Sequence, residues 1–221
     1  MNPARFYATS DADDYSAGGR TLKNELFLFC GPIAVGGTYL IERMIERHPA
    51  RFVEVRSTTT RAPRPGQQND QTRYRFVSKE EFNALVAKKQ LAEWDTYWGE
   101  FYGTEMNNLA DALARGNALM KITLAGARAI VAAKKRQFPV CVTFLIPADP
   151  TVIIRNLNRR YKKQAPGNEY KRELELMRQI LYEMEGAAAE NILVPDFTLA
   201  MNGTGESADV FEAFLRSRGT L

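Results

Sequence analysis

"FCGPIAVGGTYLIERM", Phe29 to Met44, decides the fold. Its apolar start belongs to a run from Glu25 to Gly31 that reads as a buried strand entering a glycine-rich turn. Beyond the turn, Leu40, Ile41, Met44 and Ile45 line one stripe with charges opposite, the pattern of an amphipathic helix. Strand, glycine turn and helix outline a P-loop, where backbone N–H groups and a helix N-terminus converge on a phosphate. Against G-x-x-x-x-G-K-[ST], the chain supplies Gly31, Gly36 and Thr38, but Gly37 stands where the lysine belongs. Taken alone the loop is a weak signal, since plain packing of strand on helix produces the same outline.

Working outward, apolar strand runs alternate with helical patterns. "ALMKITLAG" and "VCVTFLIP" show little polar alternation, as expected of strands covered on both faces. Helical stretches follow each, then a long amphipathic helix, a last strand "DFTLAMN" and a terminal helix. This rhythm predicts an α/β fold with a parallel sheet and right-handed crossovers. Residues 54–105 break it with short, antiparallel-looking strands, a Pro/Gly/Asn-rich loop ("APRPGQQNDQTR") and a hairpin turning near Trp98-Gly99-Glu100, and so read as an inserted lobe. Ser78 with Glu81 three residues on forms a capping box opening a helix, and "EMNNLADALARG" is a helix closing at Gly116. Residues 1–24 are polar and predicted to form a loosely ordered tail, leaving 25–221 as one domain.

Composition bounds the chemistry. The chain has 221 residues, 45% hydrophobic and 25% charged, as expected of a soluble globular protein. No apolar run approaches the roughly 20 residues needed to cross a bilayer. Acidic residues stand where an export signal would be apolar, so a cytoplasmic protein without membrane contact is expected. A single histidine and two cysteines leave almost no material for a zinc site or a His-based triad. Cys30 and Cys141 lie in strand runs and read as buried thiols; His48, before Pro49, reads as a helix C-cap. The net charge of +4 owes much to "RNLNRRYKK" (Arg155 to Lys163), which is either a solvated helix face, a phosphate-binding lid or a nucleic-acid patch.

The blocks downstream of the loop, "STTTRAPRPG", "YRFVSKEEF", "LAEWDTYWGEFYGT" and "ARGNALMKITLAGARAI", occur in an order that resembles guanylate kinase. The resemblance covers nearly everything from Glu25 onward. It implies a P-loop kinase core, a monophosphate-binding lobe (54–105), a lid (about 155–172), and phosphoryl transfer from ATP to GMP with Mg2+. Carried over by position, Arg61 and Arg64 match the pair gripping the GMP phosphate, where two guanidinium forks can hold one dianion. Tyr74, Tyr102 and Thr104 match hydroxyls around that phosphate, and Ser57 and Glu93 match the base readers. A carboxylate accepts from guanine N1–H and N2–H together, a pair adenine lacks. Gly31, Val35, Gly36, Gly37, Thr38 and Asn202 fall on the ATP side, Thr38 as the magnesium ligand, and Arg160 and Arg178 on the arginines that offset developing charge.

The departures concentrate on the ATP side. Besides Gly37, the family's loop serine and glycine are Ile33 and Ala34, and both acids of L-D-I-D-x-Q-G are lost, as Lys121 and Thr123. The first acid normally ends a core strand near the magnesium; the second lies by the guanine and phosphates. Lys121 therefore brings a cation to the strand beside the loop that Gly37 has stripped of one. Two functions follow: a guanylate kinase-like protein binding GMP, with transfer weak, altered or lost and Lys121 as a relocated lysine, or a non-catalytic module holding a phosphorylated protein segment. Nucleic-acid binding has the least support, because the basic cluster coincides with the lid.

Overall fold

The computed structural model describes residues 24–63, 70–97, 99–134, 138–161, 168–189 and 193–221. The core elements begin with β1 (Leu26–Cys30), α1 (Gly37–Arg47) and β2 (Phe52–Glu54). The inserted segment holds β3 (Ser57–Thr59), α2 (Asp70–Arg73), β4 (Tyr74–Phe76), α3 (Lys79–Ala87), β5 (Leu91–Tyr97) and β6 (Glu100–Glu105). The chain then returns through α4 (Met106–Arg115), β7 (Asn117–Ile122), α5 (Leu124–Lys134) and β8 (Val140–Pro147). It ends with α6 (Pro150–Tyr161), α7 (Asn168–Ala189), β9 (Phe197–Met201) and α8 (Glu206–Ser217).

The core sheet is parallel with strand order β2-β7-β1-β8-β9, as the unbroken apolar runs predict. All five β1 side chains are fully buried, and their alternation divides the core. Leu26, Leu28 and Cys30 pack on one face with Leu109, Leu113 and Ile130; Phe27 and Phe29 pack on the other with Leu40, Met44 and Phe211. Edge-to-face rings at 6.1 Å (Phe27–Phe211) and 5.3 Å (Phe29–Phe211) lock α8 onto the sheet. Cys30 and Cys141 are buried and unpaired, with their thiols pushed up to about 12 by burial, so neither offers a thiolate. His48 is the C-cap of α1, its N–H donating to the Met44 carbonyl at 3.0 Å. Among the described residues no helix is long and apolar enough to cross a membrane.

The second sheet has strand order β4-β3-β6-β5. It differs from expectation in three respects. The β-branched run "RFVEVRSTTTR", Arg51 to Arg61, whose composition predicts continuous extended chain, splits at Val55-Arg56, giving β2 to the core sheet and β3 to the lobe. β4 pairs with β3 in parallel, so the lobe is mixed rather than antiparallel throughout. The loop before β4 ends in the short α2, anchored where Asp70 is buried against Arg61. The capping box is as read: the Ser78 hydroxyl accepts from Glu81 N–H at 3.1 Å and the Glu81 carboxylate from Ser78 N–H at 2.8 Å. Gly116 does end α4, but in extended backbone (φ 172°); a side chain there is excluded because its Cβ would fall 2.9 Å from the Arg51 carbonyl oxygen.

Strand periodicity sorts the lobe into two faces. Trp94, Phe101 and Gly103 meet Phe82 of α3. The opposite face carries Ser57, Thr59, Tyr74, Glu93, Asp95, Tyr97, Tyr102 and Thr104, through the pairings Ser57–Tyr74, Thr59–Tyr102, Asp95–Tyr102 and Glu93–Thr104.

Candidate active site

The turn after β1 keeps the P-loop shape despite its substitutions. A Cβ on Gly31 would stand 2.6 Å from the Leu145 carbonyl oxygen, so only glycine fits. Ala34 holds a left-handed φ of 62°, which costs a non-glycine residue about 1 kcal/mol. The Asn156 amide steadies it by donating to the Ala34 carbonyl at 2.8 Å. Val35 is buried, and its N–H donates to the Pro32 carbonyl at 3.3 Å. Gly36 (φ 113°) is the N-cap of α1, with no side-chain cap and no acid in the first turn. The open N–H groups and the positive end of the helix dipole therefore face the loop's concavity.

Lys121 leaves the end of β7 and crosses this loop. Its side chain is exposed; a Cβ on Gly37 would be in ordinary contact with the stem, 3.5 Å from Cδ and 3.7 Å from Cγ, and closer to Leu145 Cδ1 at 3.1 Å. Its ammonium donates to the Thr38 hydroxyl at 3.3 Å. The nearby acids are bound elsewhere. Glu54 accepts from Arg73 Nε at 3.1 Å on both oxygens, and Glu42 from Arg73 Nη2 at 2.7 Å. Burial still pushes the Glu54 carboxyl above its usual range, against the pull of Arg73 and of Lys121.

In the lobe, Arg61 lies over the Tyr74 ring with its guanidinium carbon 4.7 Å from the centroid. It is also engaged in a bidentate pair with the buried Asp70, at 2.8 and 2.6 Å. Tyr102 stands between Tyr74 and Tyr97, with ring centroids at 6.4 and 6.1 Å. Glu93 is buried beside Gly126, where a Cβ would come 2.7 Å from its Oε2. Burial pushes its carboxyl up to about 7, opposed by the Thr104 hydroxyl and assisted by the neighbouring Asp95 charge.

Asp95 is the residue that sequence reasoning missed. It accepts from the Thr123 hydroxyl at 2.9 Å and lies two residues beyond Glu93 on the same strand face. Thr123 occupies one of the lost acid positions, so a carboxylate reaches that place from the opposite side of the cleft. The available signal was the period-two spacing of Glu93 and Asp95.

Of the remaining candidates, Ser57 is half-buried at the start of β3, and Arg64 lies outside the described residues. The backbone of Arg160 is in α6, its side chain outside the described set; Arg178 is exposed on α7. Asn202 organises the turn into α8, its side-chain oxygen accepting from Ser207 Oγ at 2.8 Å and Thr204 N–H at 3.0 Å. Arg155 donates to its carbonyl at 3.3 Å.

The guanylate kinase family model matches residues 23–194. A guanylate kinase of Synechocystis sp. is 34% identical over 142 residues, 63% of this chain and 71% of that protein. One of Synechococcus sp. is 35% identical over 149 residues, 66% of this chain and 64% of that protein, slightly under two thirds of its length. The crystal structure of guanylate kinase from Anaplasma phagocytophilum superposes with a TM-score of 0.61, covering 90% of this chain and 87% of that one. At 24% identity this last likeness speaks for the fold. With a P-loop beneath a parallel core sheet, a tyrosine- and arginine-lined inserted lobe, and a family match over most of its length, the chain belongs to the guanylate kinase family.

Proposed function

We propose that the protein binds GMP on the tyrosine-lined face of the lobe and passes it a phosphoryl group slowly, with Lys121 serving as the ammonium of a loop that lacks its own lysine. The observation that carries this reading is the Lys121 stem lying over Gly37 with its ammonium 3.3 Å from the Thr38 hydroxyl. In the transfer, a GMP phosphate oxygen bonds to the γ-phosphorus of ATP in line as the bridging bond to the β-phosphate breaks, leaving ADP. Arg61, which would share its guanidinium between Asp70 and the ligand, and Arg64 grip the acceptor phosphate beside Tyr74 and Tyr102, and Glu93 accepts from guanine N1–H and N2–H. Asp95 supplies a second acceptor for the exocyclic amine. Arg160 and Arg178 belong to the helices that border the lid.

Guanylate kinases use ATP with Mg2+. The residues around this loop do not fit that ion. The Thr38 hydroxyl already accepts from an ammonium, the strand-end acid is that ammonium, and Arg73 occupies Glu54 and Glu42. With fewer fixed cations around the transferring group, several kcal/mol of transition-state stabilisation is missing, and slow turnover follows.

The test is ADP formation from ATP and GMP, comparing the native chain with Lys121→Met. Loss of one charge-stabilising group lowers the rate by roughly 100-fold. An unchanged rate in the variant would remove Lys121 from the chemistry. A native chain that binds GMP but forms no ADP would instead support the non-catalytic role, with a phosphorylated protein segment as the partner to titrate next.

A further inference from the structure

Resting on the reading of the loop as a nucleotide phosphate site, we infer that this site takes its polyphosphate without a divalent metal, the Lys121 ammonium standing in for the ion. A nucleoside diphosphate or triphosphate carries several negative charges and is held where cations and N–H groups offset them. Magnesium does this in P-loop proteins by bridging the Ser/Thr hydroxyl of the first helical turn and the phosphate oxygens, with carboxylates organising its water shell. Each protein element of that arrangement is altered here in the same sense.

The hydroxyl is present, but its oxygen accepts from the Lys121 ammonium at 3.3 Å. A metal bound at about 2.1 Å from that oxygen would lie against a like charge. The acid that would draw the metal in from β7 is replaced by the lysine itself. The other carboxylates near the loop are both engaged by one arginine: Arg73 meets both oxygens of Glu54 at 3.1 Å and one of Glu42 at 2.7 Å. Lys121 is exposed, and its stem runs past Gly37 at ordinary contact distance, so the ammonium reaches Thr38 from the solvent side of the loop. A fixed +1 charge, the open N–H groups of α1 and the loop amides make a complete anion site of lower charge than the metal-bearing kind.

The experiment is calorimetric titration of the full chain with ADP, once with EDTA and once with excess magnesium chloride. The native chain is expected to give dissociation constants within about threefold of each other. Lys121→Asp restores an acid to the strand end; it should bind at least tenfold more weakly in EDTA and recover affinity when magnesium is added. Lys121→Met should be weakened in both conditions. GMP titration of the same samples reports whether each variant is folded. Binding of ADP to the native chain at least tenfold tighter with magnesium overturns the inference while leaving the phosphate site in place. No ADP binding in either condition, with GMP binding intact, overturns the loop reading on which it rests.

Discussion

Replacing Glu93 by glutamine isolates the charge of a buried carboxyl without changing its shape. In the folded chain burial raises this group from its ordinary 4.5 to about 7, opposed by the Thr104 hydroxyl and assisted by Asp95. Between those two pH values the native protein holds a proton that the unfolded chain has already released. Stability must therefore fall as pH rises across the window, and the loss is complete above the folded value. Its size is roughly 3 kcal/mol, at 1.36 kcal/mol for each pH unit separating the two values. Glutamine is neutral throughout, so Glu93→Gln should be more stable than the native chain by about 2–3 kcal/mol at pH 8, the difference vanishing near pH 4.5. Urea unfolding at half-unit steps from pH 4.5 to 8.5 measures both curves. Parallel curves would show that Glu93 is not held neutral in the fold, and the reasoning about its pocket would fail. A ligand that accepts the buried charge should also oppose this loss: GMP, donating two N–H groups, should stabilise the native chain more at pH 8 than at pH 5.

Three further outcomes follow from contacts in the site. Arg61→Ala removes the bidentate pair on buried Asp70 and should cost about 1–3 kcal/mol in urea unfolding, whereas the double variant with Asp70→Ala should lose less than the sum of the two single changes; additive losses would refute the pairing. Asp95→Ala should bring the affinities for GMP and IMP, which lacks the exocyclic amine, closer together by roughly tenfold in equilibrium titration, leaving IMP affinity little changed. Gly37→Lys should destabilise the chain by about 1–3 kcal/mol, because a Cβ at 37 would lie 3.1 Å from Leu145 Cδ1; adding Lys121→Asp, whose native stem that Cβ meets only at ordinary contact distance, should relieve little of this in thermal unfolding.

The sheet was legible because its cause is local. "ELFLFCG" and "VCVTFLIP" are apolar without alternation, and only strands covered on both faces need that. The Ser78–Glu81 capping box was legible for the same reason, with both partners within one turn. The division at Val55-Arg56 was not, since β2 and β3 have similar β-branched character and are separated by partners distant in sequence, β7 for one and β6 for the other. In the site, the resemblance placed Lys121 at a strand end beside the loop. It did not foresee that the lysine stem runs past Gly37 to Thr38, because that contact spans more than eighty residues. Asp70 and Asp95 escaped notice because an aspartate in a polar loop or after a tryptophan carries no local mark of burial or partnership. Their roles exist only once Arg61 and Thr123 have been brought to them.

Arg73 ties the lobe to the core mechanically. It ends α2 in the lobe, yet grips Glu54 at the end of β2 and Glu42 on the helix that carries the phosphate loop. Any swing of the lobe towards the core must either drag α1 with it or break these ion pairs. A single guanidinium is therefore the strut through which a displacement of the lobe would reach the first helix.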